Sequence, residues 1–143
     1  RKLLEETFEA RVLSFYGQSE QVVLAGECEF SNSYHVFPEY GITELIDEDG
    51  NLINTPGKWG EIVGTGFNNL VMPFVRYRTG DIACYSNQAC SCGRQYPLFE
   101  NIDGRTYEYI YTKDGRLISL TSLIFGQHFE AFKRISKILY GFG

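Results

Sequence analysis

Tyr16-Gly17-Gln18-Ser19-Glu20 and Tyr77-Arg78-Thr79-Gly80-Asp81 are the two stretches on which the reading of this chain turns. The first follows an apolar run, Val12 to Phe15, and places an aromatic ring, a glycine, a hydroxyl and a carboxylate on one tight turn. The second ends a β-rich run with an arginine, a hydroxyl, a glycine and an aspartate. Taken singly, each has an ordinary reading. Ser19 could cap the segment after it, and Asp81 could satisfy backbone N–H groups in a turn. Taken together, they supply a flat ring, a carboxylate for a pair of neighbouring hydroxyls, and an acidic oxygen of the kind Mg²⁺ prefers. A nucleotide asks a protein surface for that chemistry.

On either side the chain reads as short strands broken by polar turns: Val22 to Glu27, Tyr34 to Phe37, Gly41 to Ile46, Glu61 to Gly66, Phe74 to Tyr77 and Leu98 to Ile102. Asp47-Glu48-Asp49-Gly50-Asn51 is an acidic hairpin tip, with glycine supplying the positive φ that such turns use. A polar loop carrying cysteines fills 84 to 97. Asp103-Gly104 breaks the pattern. Tyr107 to Tyr111 and Arg116 to Leu120 then alternate around Lys113-Asp114-Gly115, a second hairpin signal. Leu3, Leu4 and Phe8 among acids fit the tail of an amphipathic helix, and Leu123 to Phe132 suits a partial helix. The expected class is α+β: a twisted, β-rich, barrel-like part over 1–104, then a hairpin and helix over 105–143. That second part is too small to bury much surface alone.

Bulk properties narrow the partners. With 43% hydrophobic and 22% charged residues the chain is globular and not disordered. A formal net charge of −5, with scattered Lys and Arg, argues against a nucleic-acid partner, which needs a basic face. A membrane is an equally poor partner, because no apolar run approaches the roughly twenty residues of a spanning helix. No signal peptide opens the chain, and four cysteines do not form a secreted disulfide framework at this length, so a reducing, cytoplasmic compartment is expected.

Cys90-Ser91-Cys92-Gly93 is a second signal. Two thiols one residue apart, followed by glycine, form a compact knuckle. Cys28 and His35 flank a strand–turn–strand passage that could bring them together, and Cys₃His is a standard structural zinc set. The plainer alternative is a small buried cysteine, a packed histidine and two free thiols. Cys84 is left to the core. His128, among phenylalanines, is expected to pack rather than react.

With Gly60-Glu61-Ile62-Val63 and Gly104-Arg105 in the same order, the set resembles the adenylate-forming enzymes, and within them the phenylacetate–CoA ligase-like and capsule-biosynthesis-type branch. The resemblance spans nearly all of the chain, but only the later part of that family's large domain and the start of its small one. It implies that Tyr16 and Gly17 line the adenine site, with Tyr16 stacking on the base, that Ser19 reaches the α-phosphate and that Glu20 holds Mg²⁺. It further implies that Asp81 binds the ribose hydroxyls and that Arg105 contacts ribose or phosphate at a hinge. Catalysis would rest on Glu20 and Ser19, and Glu61 would support its strand. The same branch is similar around the cysteines, implying one zinc ion on Cys28, His35, Cys90 and Cys92.

The activity implied is ATP-dependent conversion of a small carboxylic acid to an acyl-adenylate, then to a thioester with CoA. A capsule-biosynthesis-type protein would use another acceptor. A different class altogether is a zinc-stabilised, protein-binding module with vestigial nucleotide motifs. Two departures stand out: Tyr107 replaces the hinge aspartate usual in the family, and the phosphate loop and catalytic lysine are not among these residues. The chain is therefore expected to be inactive alone and prone to self-association through bare apolar surface.

Overall fold

The computed structural model describes residues 1–103, 109–111 and 117–119. It divides into two compact units, Arg1–Arg105 and Thr106–Gly143. In the first, helix α1 (Lys2–Phe8) precedes seven strands: β1 (Phe15–Gly17), β2 (Leu24–Cys28), β3 (Ser31–Val36), β4 (Gly41–Ile46), β5 (Trp59–Gly66), β6 (Tyr77–Tyr85) and β7 (Leu98–Asp103). In the second, β8 (Tyr109–Tyr111) and β9 (Leu117–Ser119) pair antiparallel as the expected hairpin. The helix expected over Leu123 to Phe132, and His128 with it, lies outside the described residues.

The seven strands form one sheet in the order β1-β2-β3-β7-β6-β5-β4, antiparallel throughout. Two meanders, β1-β2-β3 and β4-β5-β6-β7, are thus joined through β3 and β7. The chain passes from β3 inside the sheet to β4 at its edge within the link from Val36 to Gly41. Four inter-strand steps in a flat sheet would span about 19 Å, and five residue steps reach at most about 18 Å when fully extended. The link is not extended: Tyr40 N–H donates to the Phe37 carbonyl at 3.1 Å. The sheet must therefore curl. At the closure, a Cβ on Gly41 would lie 2.6 Å from the Val22 carbonyl oxygen and 2.5 Å from that of Thr65. Only glycine lets the backbones meet there.

Inside the curl lie Val22, Val23, Ala25, Val36, Leu45, Ile53, Ile62, Ala83 and Phe99. Burial of each large aliphatic or aromatic side chain is worth about 1.5–3 kcal/mol. Tyr16 and Tyr77 pack their rings against this cluster. Some boundaries differ from expectation. Phe15, expected in a buried strand, is 78% exposed, because burial alternates residue by residue from Arg11 to Glu20 and Phe15 falls on the outward side. Cys84 belongs to β6 rather than to the loop and is buried, as a core residue should be.

A larger difference concerns Tyr77-Arg78-Thr79-Gly80-Asp81, which opens a nine-residue strand instead of ending one. Glu61 pairs with Ile82 and Val63 with Arg78, so Ile62 alone faces Thr79, Gly80 and Asp81. This bulge is held from inside. Thr79 Oγ1 donates to the Ile62 carbonyl at 3.0 Å and accepts the Asp81 N–H at 3.1 Å. Gly80, at φ +77°, donates its N–H to Glu61 Oε1 at 3.1 Å. Glu61 also takes Arg78 Nε at 2.8 Å, which makes it the strand support expected of it. Bulges of this kind re-aim a side chain, and here the side chain is Asp81.

Candidate functional site

Alternation along the segment before β2 sorts the first motif into two faces. Tyr16, Gln18 and Glu20 are half-buried, whereas Gly17 and Ser19 are exposed. Gln21 N–H donates to the Gln18 carbonyl at 3.0 Å and closes the turn that aims Glu20. The half-buried residues reach the start of β6. Tyr16 Oη donates to Asp81 Oδ2 at 2.6 Å, and Tyr77 Oη donates to Glu20 Oε1 at 2.7 Å. Two side-chain hydrogen bonds therefore join segments far apart in sequence. Two carboxylates and two phenols stand on one side of the curl, with the exposed Gly17 and Ser19 beside them.

Both acceptors are carboxylates, so these are strong, charge-assisted contacts. They fix where an incoming hydroxyl or cation would have to bind. Gln18, between Tyr16 and Glu20, has both amide atoms enclosed without a hydrogen-bond partner. Ser19 remains at the surface. Arg105, expected at the hinge, lies outside the described residues. Sequence reasoning gave Tyr77 no role, since a hydrogen bond to Glu20 leaves no local trace.

At the far end of β6 a second cluster forms. Cys28 ends β2, His35 sits near the end of β3 opposite Leu98 of β7, and Cys90 and Cys92 lie on the loop that leads into β7. Cys28 Sγ and Cys90 Sγ are 3.5 Å apart, Cys92 Sγ and His35 Nε2 are 3.6 Å apart, and all four atoms lie within 4.8 Å of one another. In a tetrahedral Cys₃His zinc site the sulfurs stand about 3.8 Å from each other. The donor set fits such an ion in type, number and spacing. Phe30 N–H points at Cys28 Sγ from 3.4 Å, and Gly93, at φ +79°, turns the loop beneath Cys90.

The surroundings shift the two loop thiols in opposite directions. The Arg94 backbone N–H, the largest influence, holds the Cys92 thiol below its ordinary value. Cys90 is pushed up: the Cys92 N–H pulls its thiol down, but burial and the neighbouring sulfurs outweigh it. Burial, then the charge of Arg94, pushes the His35 imidazole below its ordinary value, against a smaller opposing pull from Glu29. Tyr96 braces the site with its ring edge-on to His35 (centroids 6.3 Å) and its hydroxyl on Glu39 Oε1 at 2.7 Å. Arg94 lies 3.9 Å from Glu29.

Among the described residues no helix is long and apolar enough to cross a membrane. No family model matches the chain. Over 109 residues it is 32% identical to a phenylacetate-coenzyme A ligase of Thermus thermophilus, covering 74% of this chain and 24% of that protein. Its fold matches a 2-hydroxyisobutyryl-CoA ligase solved in the postadenylation state with R3-HIB-AMP, at a TM-score of 0.66 and 24% identity, over 86% of this chain and 27% of that one. The same ligase solved with 2-HIB-AMP and CoA in the thioesterification state matches at 0.65, over 76% of this chain and 24% of that one. This chain spans about a quarter of the length of the relatives it matches.

Proposed function

We propose, from the premise that this chain belongs to the adenylate-forming, CoA ligase-like family, that the full-length protein activates a carboxylic acid with ATP and passes the acyl group to CoA. The observation that carries this reading is the pair of hydrogen bonds, Tyr16 to Asp81 and Tyr77 to Glu20, that draws both nucleotide motifs to one place. Residues 1–104 would then be the later part of a large adenylation domain, and 105–143 the start of a small one.

In this reading an oxygen of the acid attacks the α-phosphorus of ATP, the bond to pyrophosphate breaks, and the acyl-adenylate remains. The thiol of CoA then displaces AMP. The protein positions the reactants and neutralises charge. Tyr16 offers its ring to the base, the exposed Ser19 its hydroxyl to the α-phosphate, and Asp81 its carboxylate to the ribose hydroxyls. Gly17 keeps the wall beside Tyr16 free of a side chain. Glu20 would hold Mg²⁺, which when bound offsets the negative charge of the phosphates. Arg105 would contact ribose or phosphate at the hinge.

The second cluster is proposed to bind one structural zinc through Cys28, His35, Cys90 and Cys92, because four protein donors leave no open position for water. None of the four cysteines forms a disulfide, which suits a reducing, cytoplasmic setting. ATP-dependent pyrophosphate exchange by the full-length protein tests the activity. Exchange is expected with a suitable acid and should be lost in both Asp81→Ala and Glu20→Ala. No exchange with any acid offered would favour a binding module. For the metal, elemental analysis should find one zinc per chain; less than about half an equivalent, unchanged by chelation, removes the site.

A further inference from the structure

Tyr77 stands beside Glu20 without an assignment. Its phenol donates to Glu20 Oε1 at 2.7 Å. Its ring meets Phe74 edge-on, with centroids 5.0 Å apart and planes at 66°, and packs against the core. Its backbone opens β6 opposite Gly64 of β5, just before the bulge that aims Asp81. Strand pairing, a ring contact and core packing thus fix the phenol oxygen. Glu20 is held differently: it lies within the turn closed by Gln18 and Gln21 and carries its carboxylate on a flexible stem.

We infer that Tyr77 is a positioning residue, which holds the Glu20 carboxylate in place for a divalent cation; this rests on the nucleotide reading of the cleft. Carboxylates that ligate metals are themselves oriented by outer hydrogen bonds, and loss of such a bond typically lowers metal affinity about 10–100-fold. A rigid phenol suits the task. It donates a hydrogen bond to one carboxylate oxygen, restricts the rotamers of the glutamate before the ion arrives, and adds no competing charge. Tyr16 uses its hydroxyl in the same way on Asp81, but its ring is the one committed to the base, so only Tyr77 acts purely through another residue.

Tyr77→Phe removes the hydroxyl and keeps the ring against Phe74. In the full-length protein, ATP binding is followed while Mg²⁺ is titrated, with Mn²⁺ binding read by electron paramagnetic resonance. The Mg²⁺ midpoint is expected to rise about tenfold or more, while ATP binding without divalent cation stays unchanged. In a Glu20→Gln background, adding Tyr77→Phe should shift nothing further, a coupling that a merely structural tyrosine would not show. A Tyr77→Phe titration that superimposes on wild type, or an equal shift in the Glu20→Gln background, overturns the inference. Wild-type protein that binds no nucleotide, with or without Mg²⁺, brings down the reading of the cleft and this role with it. Nucleotide binding with an unshifted midpoint brings down this role alone. Thermal melting of Tyr77→Phe within a few degrees of wild type keeps either result attributable to the hydroxyl, and Glu20→Asp, which withdraws the carboxylate from the phenol, should raise the Mg²⁺ midpoint independently.

Discussion

The two ends of β6 are built on opposite plans. At the Tyr77–Asp81 end, long polar side chains cross between segments and bond to one another, so the carboxylates already have proton donors. At the Cys84–Tyr85 end, short side chains on tight turns bring three sulfurs and an imidazole nitrogen within 4.8 Å, with His35 Nδ1 buried and unpaired. In the first arrangement each carboxylate already has a phenol donor within the protein. The second gathers thiols that would repel one another when ionised, a repulsion that a bound cation would relieve. The two ends are therefore distinguishable by how their polar groups are satisfied.

Metal removal should break the comparison most sharply. Chelation of the purified protein is expected to lower its melting temperature by about 10 °C or more, since small zinc modules bind with apparent energies of about 10–16 kcal/mol. Calorimetry with and without chelator reads the change, and an unaltered melt would make the thiol cluster incidental. Phe99→Ala comes next. Phe99 is fully buried, pairs with Tyr34 and lies 5.2 Å from the ring of Tyr85, linking the strands that carry both sites. Denaturant unfolding should show a loss of about 3–5 kcal/mol, with both sites weakened together.

Asp81→Ala should act on one end only. It is expected to slow pyrophosphate exchange about a hundredfold or more while leaving zinc content at one per chain. A parallel loss of zinc would show that the two ends are not independent. The smallest effect belongs to a turn remote from both. Asn51 N–H, foremost, holds the Asp47 carboxyl below its ordinary 3.8. Its folded value lies below its unfolded one, so its stabilisation is complete above pH 3.8 and fades as pH falls through the folded value. Asp47→Ala should therefore remove a slight stability difference visible at pH 7 and absent in strong acid, read from paired melts, with both sites untouched.

Much of this was legible in the sequence where the controlling interaction is local. Gly41–Ile46 has its expected bounds, and the acidic tip 47–51 forms with Gly50 at φ +84°, because alternation and a glycine turn are decided within a few residues. The convergence of Cys28, His35, Cys90 and Cys92 was readable from ligand type and spacing. The bulge was not. Gly80-Asp81 has the composition of a turn, and nothing nearby reveals that Thr79 would bond to Ile62 from the neighbouring strand and let β6 continue. The outward placement of Phe15 escaped for the opposite reason: an apolar run suggests burial, whereas the phase of alternation is set by Tyr16 meeting Asp81. The partnership of Tyr77 with Glu20 depends on the curl of the whole sheet.

The continuity of β6 also makes it a natural reporter. Ala83, completely enclosed, sits between the bulge and the thiol-bearing end and pairs with Gly60 on one side and Ile102 on the other. Its amide resonance would sense chemical-shift perturbations from either direction, so one labelled position could register occupancy of both sites in a single spectrum.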